Sequence, residues 1–190
     1  MRQILSALAL VLFVALVGGR AAMLHKKGIH AIVFGETDRS DFLLLPVFLA
    51  LVYAIFAPAF GFPMPGWLLG PFWVSAWIGG LGLALEAAAL IGFAVALKSF
   101  GDSFRMGIDE QKPDALVTSG MFAISRNPIY VCFLMFFLGQ LLVSPCLALA
   151  VMVLLIALAI HRQVLREEAF LHQHYGAEYQ AYCARVRRYL

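Results

Sequence analysis

Two short stretches in the second half of the sequence hold most of the side chains that could do chemistry. One runs from Arg126 to Tyr130, and the other runs from Arg162 to Glu168. Together they supply cations, amide groups and two adjacent carboxylates, a set that could hold a zwitterion with both an amino and a carboxylate group. Arg and Glu at a membrane boundary can also simply anchor a helix, and the residue types leave both interpretations open.

The composition places these stretches in an integral membrane protein. Of 190 residues, 63% are hydrophobic and only 13% are charged, whereas a soluble domain has about 45–50% apolar and about 25% charged residues. The net charge of +3 is too small to indicate a nucleic-acid-binding protein. We therefore predict a single all-α membrane domain with no nucleic-acid partner.

Long apolar runs predict about five transmembrane helices, since about 20 apolar residues cross a bilayer. Three lie in the first half of the chain, at residues 4–24, 42–60 and 72–97. The other two, residues 128–143 and 146–165, form a predicted helical hairpin that starts at a proline, a favoured first helical residue. Because a hairpin returns the chain to the surface that it left, the two polar stretches should face each other.

The basic residues predict how the helices are oriented. Lys and Arg are concentrated in residues 25–41, 98–127 and 161–190, whereas residues 61–71 and 144–146 hold none. Because basic loops stay in the cytoplasm, the N-terminus is predicted outside and the C-terminus inside, and the short loops indicate a prokaryotic cytoplasmic (inner) membrane. The first apolar run could instead be a cleaved signal peptide, but it is longer than the usual core of about 7–15 residues.

The residues after Glu168 predict a cytoplasmic tail of two short helices broken at Gly176. The aromatic side chains of this tail and its arginines suit the headgroup layer of a membrane. The tail is therefore predicted to lie at the interface, either as a surface helix or as a lid over a pocket.

Glu86 is a carboxyl group inside the third predicted span, where a charge is energetically expensive. It could contact a substrate or carry protons. It could equally be a structural acid that hydrogen-bonds to a neighbouring helix in its protonated form. The sequence offers no visible partner, so both interpretations stay open.

Other signals for metals or cofactors are weak. The three cysteines form no CxxC pair, and His172 and His174 are spaced so that they lie on opposite faces of a helix. Gly79, Gly80 and Gly82 lie inside a span, where small residues favour close helix packing rather than dinucleotide binding. We predict no metal site.

Four motifs in residues 98–190 occur in an informative order. They are the run 116–120 followed by Phe122, the run 126–130, the pair Glu167-Glu168, and the run 175–179 with Tyr182. In this order, and around a helical hairpin, they resemble the isoprenylcysteine carboxyl methyltransferase family and its relatives, the phospholipid methyltransferases. The resemblance covers about half of the chain.

The resemblance implies a methyltransferase that uses S-adenosylmethionine and receives a lipid or lipidated substrate from the bilayer. The family builds its cofactor pocket from the loop before the hairpin, the first residues of the hairpin and the double Glu after it. The implied cofactor-binding residues are Leu116, Val117, Gly120, Phe122, Asn127, Pro128, Tyr130, Glu167 and Glu168. The implied catalytic residues are Glu168 and either Arg162 or Arg166, with the choice between the arginines open.

The chain departs from the family pattern at Asn127, where many members have His. Asn can donate or accept a hydrogen bond but cannot act as an acid or base near neutral pH. Residues 1–97 carry no family motif and are predicted only as three spans and a cytoplasmic loop, while residues 98–190 would hold the cofactor-binding loop, the hairpin and the tail. The acceptor could be a carboxylate, an amine or a thiol.

Two other classes of protein remain as alternatives. Membrane reductases of the related sterol-reductase group have similar C-terminal motifs and would bind NADPH, but they are usually longer and have more spans. A non-enzymatic transport or partner-binding membrane protein is supported by Glu86 alone. Binding of a cofactor separates these alternatives.

Overall fold

The computed structural model describes residues 1–27, 44–63, 65–101 and 116–190, and within these ranges the chain is helical, without a β-strand. The helices are α1 (Arg2–Lys26), α2 (Leu44–Phe60), the single turn α3 (Gly66–Leu69), α4 (Ala76–Phe100), α5 (Pro128–Val143), α6 (Leu147–Tyr175) and α7 (Ala177–Arg185). A 3₁₀ turn, Gly120–Ala123, precedes α5. The predicted all-α class is confirmed for the described residues.

Three helices are long and apolar enough to cross a membrane, namely α1 and α4 with 25 residues each and α6 with 29. The helices α2 and α5 are also apolar but shorter, with 17 and 16 residues. The helices therefore fit an integral membrane protein. The count of five spans stays a prediction, because α2 and α5 fall short of the roughly 20 residues that a span needs.

The predicted hairpin is present, with α5 covering the predicted residues, but two other boundaries differ. Helix α4 begins at Ala76 rather than at residue 72, because Ser75 caps it by accepting a hydrogen bond of 3.3 Å from the Ile78 amide. Helix α6 runs without a break to Tyr175, so the first of the two predicted tail helices is a continuation of the last span. The break itself falls at Gly176, where a φ of 50° favours glycine.

Hydrogen bonds between helix ends establish which ends lie together. At one end of the bundle, Arg2 of α1 donates to the Ser75 carbonyl at 2.9 Å. The Phe72 amide donates to the Pro145 carbonyl in the α5–α6 turn at 2.7 Å. At the other end, Arg20 of α1 donates to the carbonyl that follows α4. The hairpin turn therefore shares a side with the starts of α1 and α4, and the two polar stretches lie on the opposite side.

Helices α4 and α5 approach closely because glycine faces glycine. A Cβ at Gly82 would lie 2.7 Å from the carbonyl oxygen of Gly139, and a Cβ at Gly139 would lie 2.7 Å from that of Gly82. The predicted close packing by small residues is thus found at Gly82. The ring of Phe13 in α1 stacks on Phe93 of α4 and on Phe136 of α5, with centroids 4.9 and 4.6 Å apart. These contacts join α1, α4 and α5 in one apolar core.

Glu86 has partners that the sequence did not reveal. Its Oε1 lies 2.5 Å from the hydroxyl of Ser6 in α1, which also lies 2.9 Å from Oε1 of Gln140 in α5. Gln140 Nε2 donates to the Ser6 carbonyl at 3.1 Å, and all three side chains are buried. Because Ser6 has a single hydroxyl proton, both of its contacts are hydrogen bonds only when a protonated Glu86 donates to it. These contacts favour the structural interpretation of Glu86.

Two substitutions of Glu86 test this interpretation. Glu86→Gln should preserve stability, because its amide can donate to Ser6 in place of the carboxyl proton. Glu86→Ala should lower the free energy of unfolding by about 1–3 kcal/mol, because it leaves buried polar groups without a partner. Unfolding of both variants would be measured in detergent. Equal destabilisation by Gln and Ala would contradict the structural role, and loss of proton flux in a stable Glu86→Gln protein would restore the transport interpretation.

Candidate functional site

The loop before α5 is fixed to the end of α4 at Gly120. This glycine has a φ of 62°, and a Cβ there would lie 2.5 Å from Ser99 Oγ. The same Ser99 hydroxyl accepts a hydrogen bond of 3.3 Å from the Met121 amide. Because both the positive φ and the close approach favour a residue without a side chain, glycine allows the loop to dock on α4.

Phe122 and Tyr182 hold the other side of this loop. The buried ring of Phe122 contacts Phe100 edge-on, with centroids 4.9 Å apart. The Phe122 carbonyl accepts a hydrogen bond of 2.6 Å from Tyr182 of α7. Burial raises the pKa of Tyr182 to about 12, so its hydroxyl stays protonated near neutral pH and can donate. The loop is therefore held between α4 and α7.

Glu168 lies at the base of the hairpin and binds two guanidinium groups. Its Oε1 is 2.9 Å from Nη2 of Arg126, which precedes α5. Its Oε2 accepts hydrogen bonds from Nε and Nη2 of Arg188, at 3.0 and 2.8 Å. The Glu168 side chain is only 10% exposed, so water screens these ion pairs less than it would at an open surface.

Residues 186–190, which we call the terminal segment, fold back over the start of α5. The Arg126 amide donates to the Arg187 carbonyl at 3.0 Å. The side-chain amide of Asn127 donates to the Arg188 carbonyl, also at 3.0 Å. The terminal segment is thus bound through its backbone as well as through the Arg188 side chain.

Glu167 is directed toward the other arm of the hairpin. Tyr130 of α5 donates to Glu167 Oε1 at 2.6 Å, and Gln163 Nε2 donates to the same oxygen at 2.8 Å. Arg166 in turn donates to Gln163 Oε1. The two neighbouring carboxylates therefore make different contacts, since Glu168 binds arginines outside α6 whereas Glu167 connects α6 to α5.

Most of the residues that the sequence singled out lie in or around one cluster between the arms of the hairpin. The cluster contains Arg126, Asn127, Tyr130, Glu167 and Glu168. Around it, Pro128 is the buried first residue of α5, Gly120 and Phe122 fix the loop, and Leu116 and Val117 are half-buried at the start of the described part of that loop. The juxtaposition expected from the hairpin is therefore found, while the cofactor-binding and catalytic roles stay predictions.

Arg162 and Arg166 have different surroundings. The sequence left the choice between them open. Arg166 is half-buried and joins the cluster through Gln163 and Glu167. Arg162 lies one turn earlier on α6 and is exposed. Arg166 therefore lies at the cluster, and which of the two arginines has a catalytic role stays a prediction.

Arg188 also belongs to this cluster, although the sequence did not indicate it. The sequence predicts that the arginines of the tail lie among the lipid headgroups, whereas the guanidinium group of Arg188 is turned inward to Glu168. A signal was present, because two adjacent carboxylates in poorly solvated surroundings need counter-charges. The next cations along the chain after Glu168 are Arg185, Arg187 and Arg188.

The described ranges contain no group of three or more His, Cys, Asp or Glu side chains that could hold a metal ion. Cys132, Cys146 and Cys183 are free thiols. In this part of the chain, the chemistry of the site is that of arginine, carboxylate, amide and phenol groups.

These features are those of a helical membrane protein with an arginine–carboxylate cluster at the base of its α5–α6 hairpin. The family sequence model described as phospholipid methyltransferase matches residues 71–178, which is more than half of the chain. The chain belongs to the phospholipid methyltransferase family, a family of membrane methyltransferases. This match confirms the resemblance seen in the motifs. No curated protein matches the sequence.

The bond between Tyr182 and the loop can be tested by removing one oxygen atom. Tyr182→Phe leaves the Phe122 carbonyl without its donor, so the free energy of unfolding in detergent should fall by about 1–3 kcal/mol. Tyr189→Phe is the matched control, because it removes a hydroxyl that contacts His161 at an exposed position and should change stability by about 0.5 kcal/mol or less. Equal effects of the two variants would mean that the Tyr182 hydroxyl does not hold the loop.

Proposed function

We propose that this protein transfers the methyl group of S-adenosylmethionine to a lipid-embedded or lipidated acceptor at the cytoplasmic face of the membrane. Membership of a membrane methyltransferase family supports the type of reaction. The observation that carries the proposal is the buried pair of Glu168 and Arg126, which lies within the matched residues and beside the docked loop.

The polar groups around Glu168 fit the zwitterionic part of this cofactor. Glu168 Oε1 and Arg126 Nε are both buried without a hydrogen-bond partner among the described residues, although the two side chains form an ion pair. The Tyr179 hydroxyl is a third buried group of this kind. An ammonium group would satisfy Glu168 Oε1, and a carboxylate would satisfy Arg126 Nε. Both kinds of group are present in S-adenosylmethionine.

The proposed mechanism uses the protein for binding and orientation. When bound, S-adenosylmethionine would supply an activated methyl group on its sulfonium: a nucleophile on the acceptor would attack the methyl carbon in line, the S–CH3 bond would break, and S-adenosylhomocysteine would leave. Glu168 holds the amino group and Arg126 the carboxylate. Tyr130, fixed by Glu167, presents an aromatic ring, and such rings attract a cationic sulfonium. The protein would mainly position the reactants. A carboxylate acceptor has no proton to lose, and an amine or thiol acceptor would release its proton to solvent, so no side chain is assigned as an acid or base.

The other predicted residues surround these groups in the proposal. Leu116, Val117, Gly120 and Phe122 form the loop wall of the cofactor site, and Pro128 fixes the start of α5. Arg166 orients the acceptor or its carboxylate, with Arg162 as the alternative. Asn127 holds the terminal segment rather than taking part in proton transfer.

The location of the site is proposed from charge and exposure. The side that carries the cluster also carries the described basic residues Lys26, Lys98 and Arg126, which supports a cytoplasmic position in the inner membrane, with the N-terminus outside. Helices α4 and α6 expose large apolar side chains, among them Ile91, Leu154 and Leu158. A lipid acceptor could therefore approach the cluster along either helix from the bilayer.

Calorimetric titration of the detergent-purified protein tests the cofactor. S-adenosylmethionine and S-adenosylhomocysteine should bind saturably and NADPH should not, since the family match does not favour the reductase or transport alternatives. Glu168→Gln should weaken binding by about 10- to 100-fold, the loss expected for a hydrogen bond to a charged group. Glu178→Gln, which removes an exposed carboxylate from α7, is the matched control and should bind normally.

Two results would contradict this assignment. Folded wild-type protein that binds neither S-adenosyl compound would reject the proposed cofactor, and binding of NADPH alone would favour the reductase. Normal affinity in a folded Glu168→Gln protein would remove Glu168 from the cofactor site while leaving the reaction type open to other residues.

The chemical class of the acceptor can be read from the labelled product. Membranes that contain the protein would be incubated with methyl-labelled S-adenosylmethionine, and the lipid fraction would then be treated with mild base. A methylated carboxylate is an ester and releases labelled methanol, whereas a methylated amine keeps its label. We expect lipid-fraction labelling that is lost in the Glu168→Gln protein; no labelling with added amine or carboxylate lipids would contradict a lipid acceptor.

A further inference from the structure

The terminal segment contacts the site through three separate groups. The Arg188 side chain binds Oε2 of Glu168 with two hydrogen bonds, and the Arg188 carbonyl accepts one from Asn127. The Arg187 carbonyl accepts a further hydrogen bond, from the Arg126 amide. All the partners on the site side lie within the residues that match the family, but the terminal segment does not. Its contacts are therefore a property of this chain that the family match does not cover.

Arg188 does not have the surroundings of a membrane-anchoring arginine. An anchoring side chain extends outward to the headgroups, as the exposed Arg185 is free to do. The Arg188 side chain is 38% exposed and lies against the Glu168 side chain, which is 10% exposed. Two donors from one rigid guanidinium group fix the position of Oε2. The remaining oxygen, Oε1, is then held on the side of Arg126.

We propose that the terminal segment is a strap that closes the cofactor site, and that Arg188 is a positioning residue that orients Glu168. Arg188 holds Oε2 so that Oε1 is presented to the amino group of the cofactor. The backbone bonds to Asn127 and Arg126 keep the strap over the start of α5. This inference rests on the proposed function, because it takes S-adenosylmethionine as the ligand of Glu168.

The strap can be tested by calorimetry with S-adenosylmethionine on a small set of variants. Arg188→Ala should weaken binding about tenfold or more, because Glu168 loses the group that orients it. Arg188→Lys should restore part of the affinity, since an ammonium group can pair with Oε2 but cannot supply two fixed donors. Arg185→Ala removes the same charge from an exposed position of the tail and should bind as the wild type does.

A double substitution separates positioning from general structural damage. Arg188 is proposed to act through Glu168, so Arg188→Ala should cause no further loss of affinity in a Glu168→Gln protein. A purely structural effect would instead add to that of Glu168→Gln. Wild-type affinity in Arg188→Ala, or losses that add in the double variant, would overturn the positioning role.

Hydrogen–deuterium exchange gives a readout that does not need the cofactor. Glu168→Gln leaves the tail sequence unchanged, and we expect it to speed exchange in the peptide that covers residues 186–190 relative to Glu178→Gln. Equal exchange in the two variants would overturn the strap. Wild-type protein that binds no S-adenosyl compound would overturn the proposed function and, with it, closure of a cofactor site, whereas wild-type binding with normal affinity in Arg188→Ala would overturn this inference alone.

Discussion

A buried carboxylate has to be paired, and the pairing of Glu168 is the interaction on which the geometry of the site depends. Arg126 comes from the loop before the hairpin, Glu168 from its second arm and Arg188 from the terminal segment. Removing one partner from a buried ion pair costs about 3–5 kcal/mol, because it leaves an uncompensated charge. The carboxylate therefore joins three separate segments of the chain, namely the loop before α5, helix α6 and the terminal segment.

The two buried carboxyl groups among the described residues are accommodated in different ways. Glu168 lies at the end of the bundle where cationic side chains can reach it, and it is paired with arginines. Glu86 lies toward the other end among apolar helices and is bonded to the neutral Ser6. Helix α5 separates the two places, since Tyr130 and Gln140 are ten residues and so about 15 Å apart along it. Glu168 is thus paired with cations at one end of the bundle, and Glu86 is bonded to a neutral side chain between helices.

The hairpin was predicted correctly from the sequence, whereas the predicted end of α6 was wrong. Pro128 and the Ser144-Pro145 turn mark the ends of α5, and the apolar run between these two signals gives the length of the helix. The prediction ended α6 near residue 165, where the apolar run stops. The helix continues because residues 166–175 include strong helix formers such as Arg, Glu, Ala and Leu and no Gly or Pro before Gly176. The end of an apolar run indicates where a helix leaves the membrane, whereas the helix propensity of the following residues indicates where the helix itself ends.

The candidate site was predictable to the same limited degree. Topology alone placed Arg126 opposite Glu168, because both lie at the open end of one hairpin. The partners Ser6 and Gln140 of Glu86 were not predictable, since α4 and α5 are apolar on all sides and the sequence does not define which face of each helix meets the next. The sequence indicates that Glu168 needs a counter-charge, but choosing Arg188 among the tail arginines required knowing that the chain turns back after α7.

Asn127 connects these contacts to the chemistry proposed for the site. Its side-chain amide donates to the Arg188 carbonyl at 3.0 Å, and holding a backbone carbonyl requires a donor but not a proton that can be lost. An imidazole at this position would make the same bond only in the tautomer or protonation state that places a proton on the facing nitrogen. The amide donates at every pH, so this bond to the terminal segment does not depend on the protonation of residue 127. If the proposed function holds, the pH dependence of methyl transfer would then arise from the acceptor rather than from residue 127.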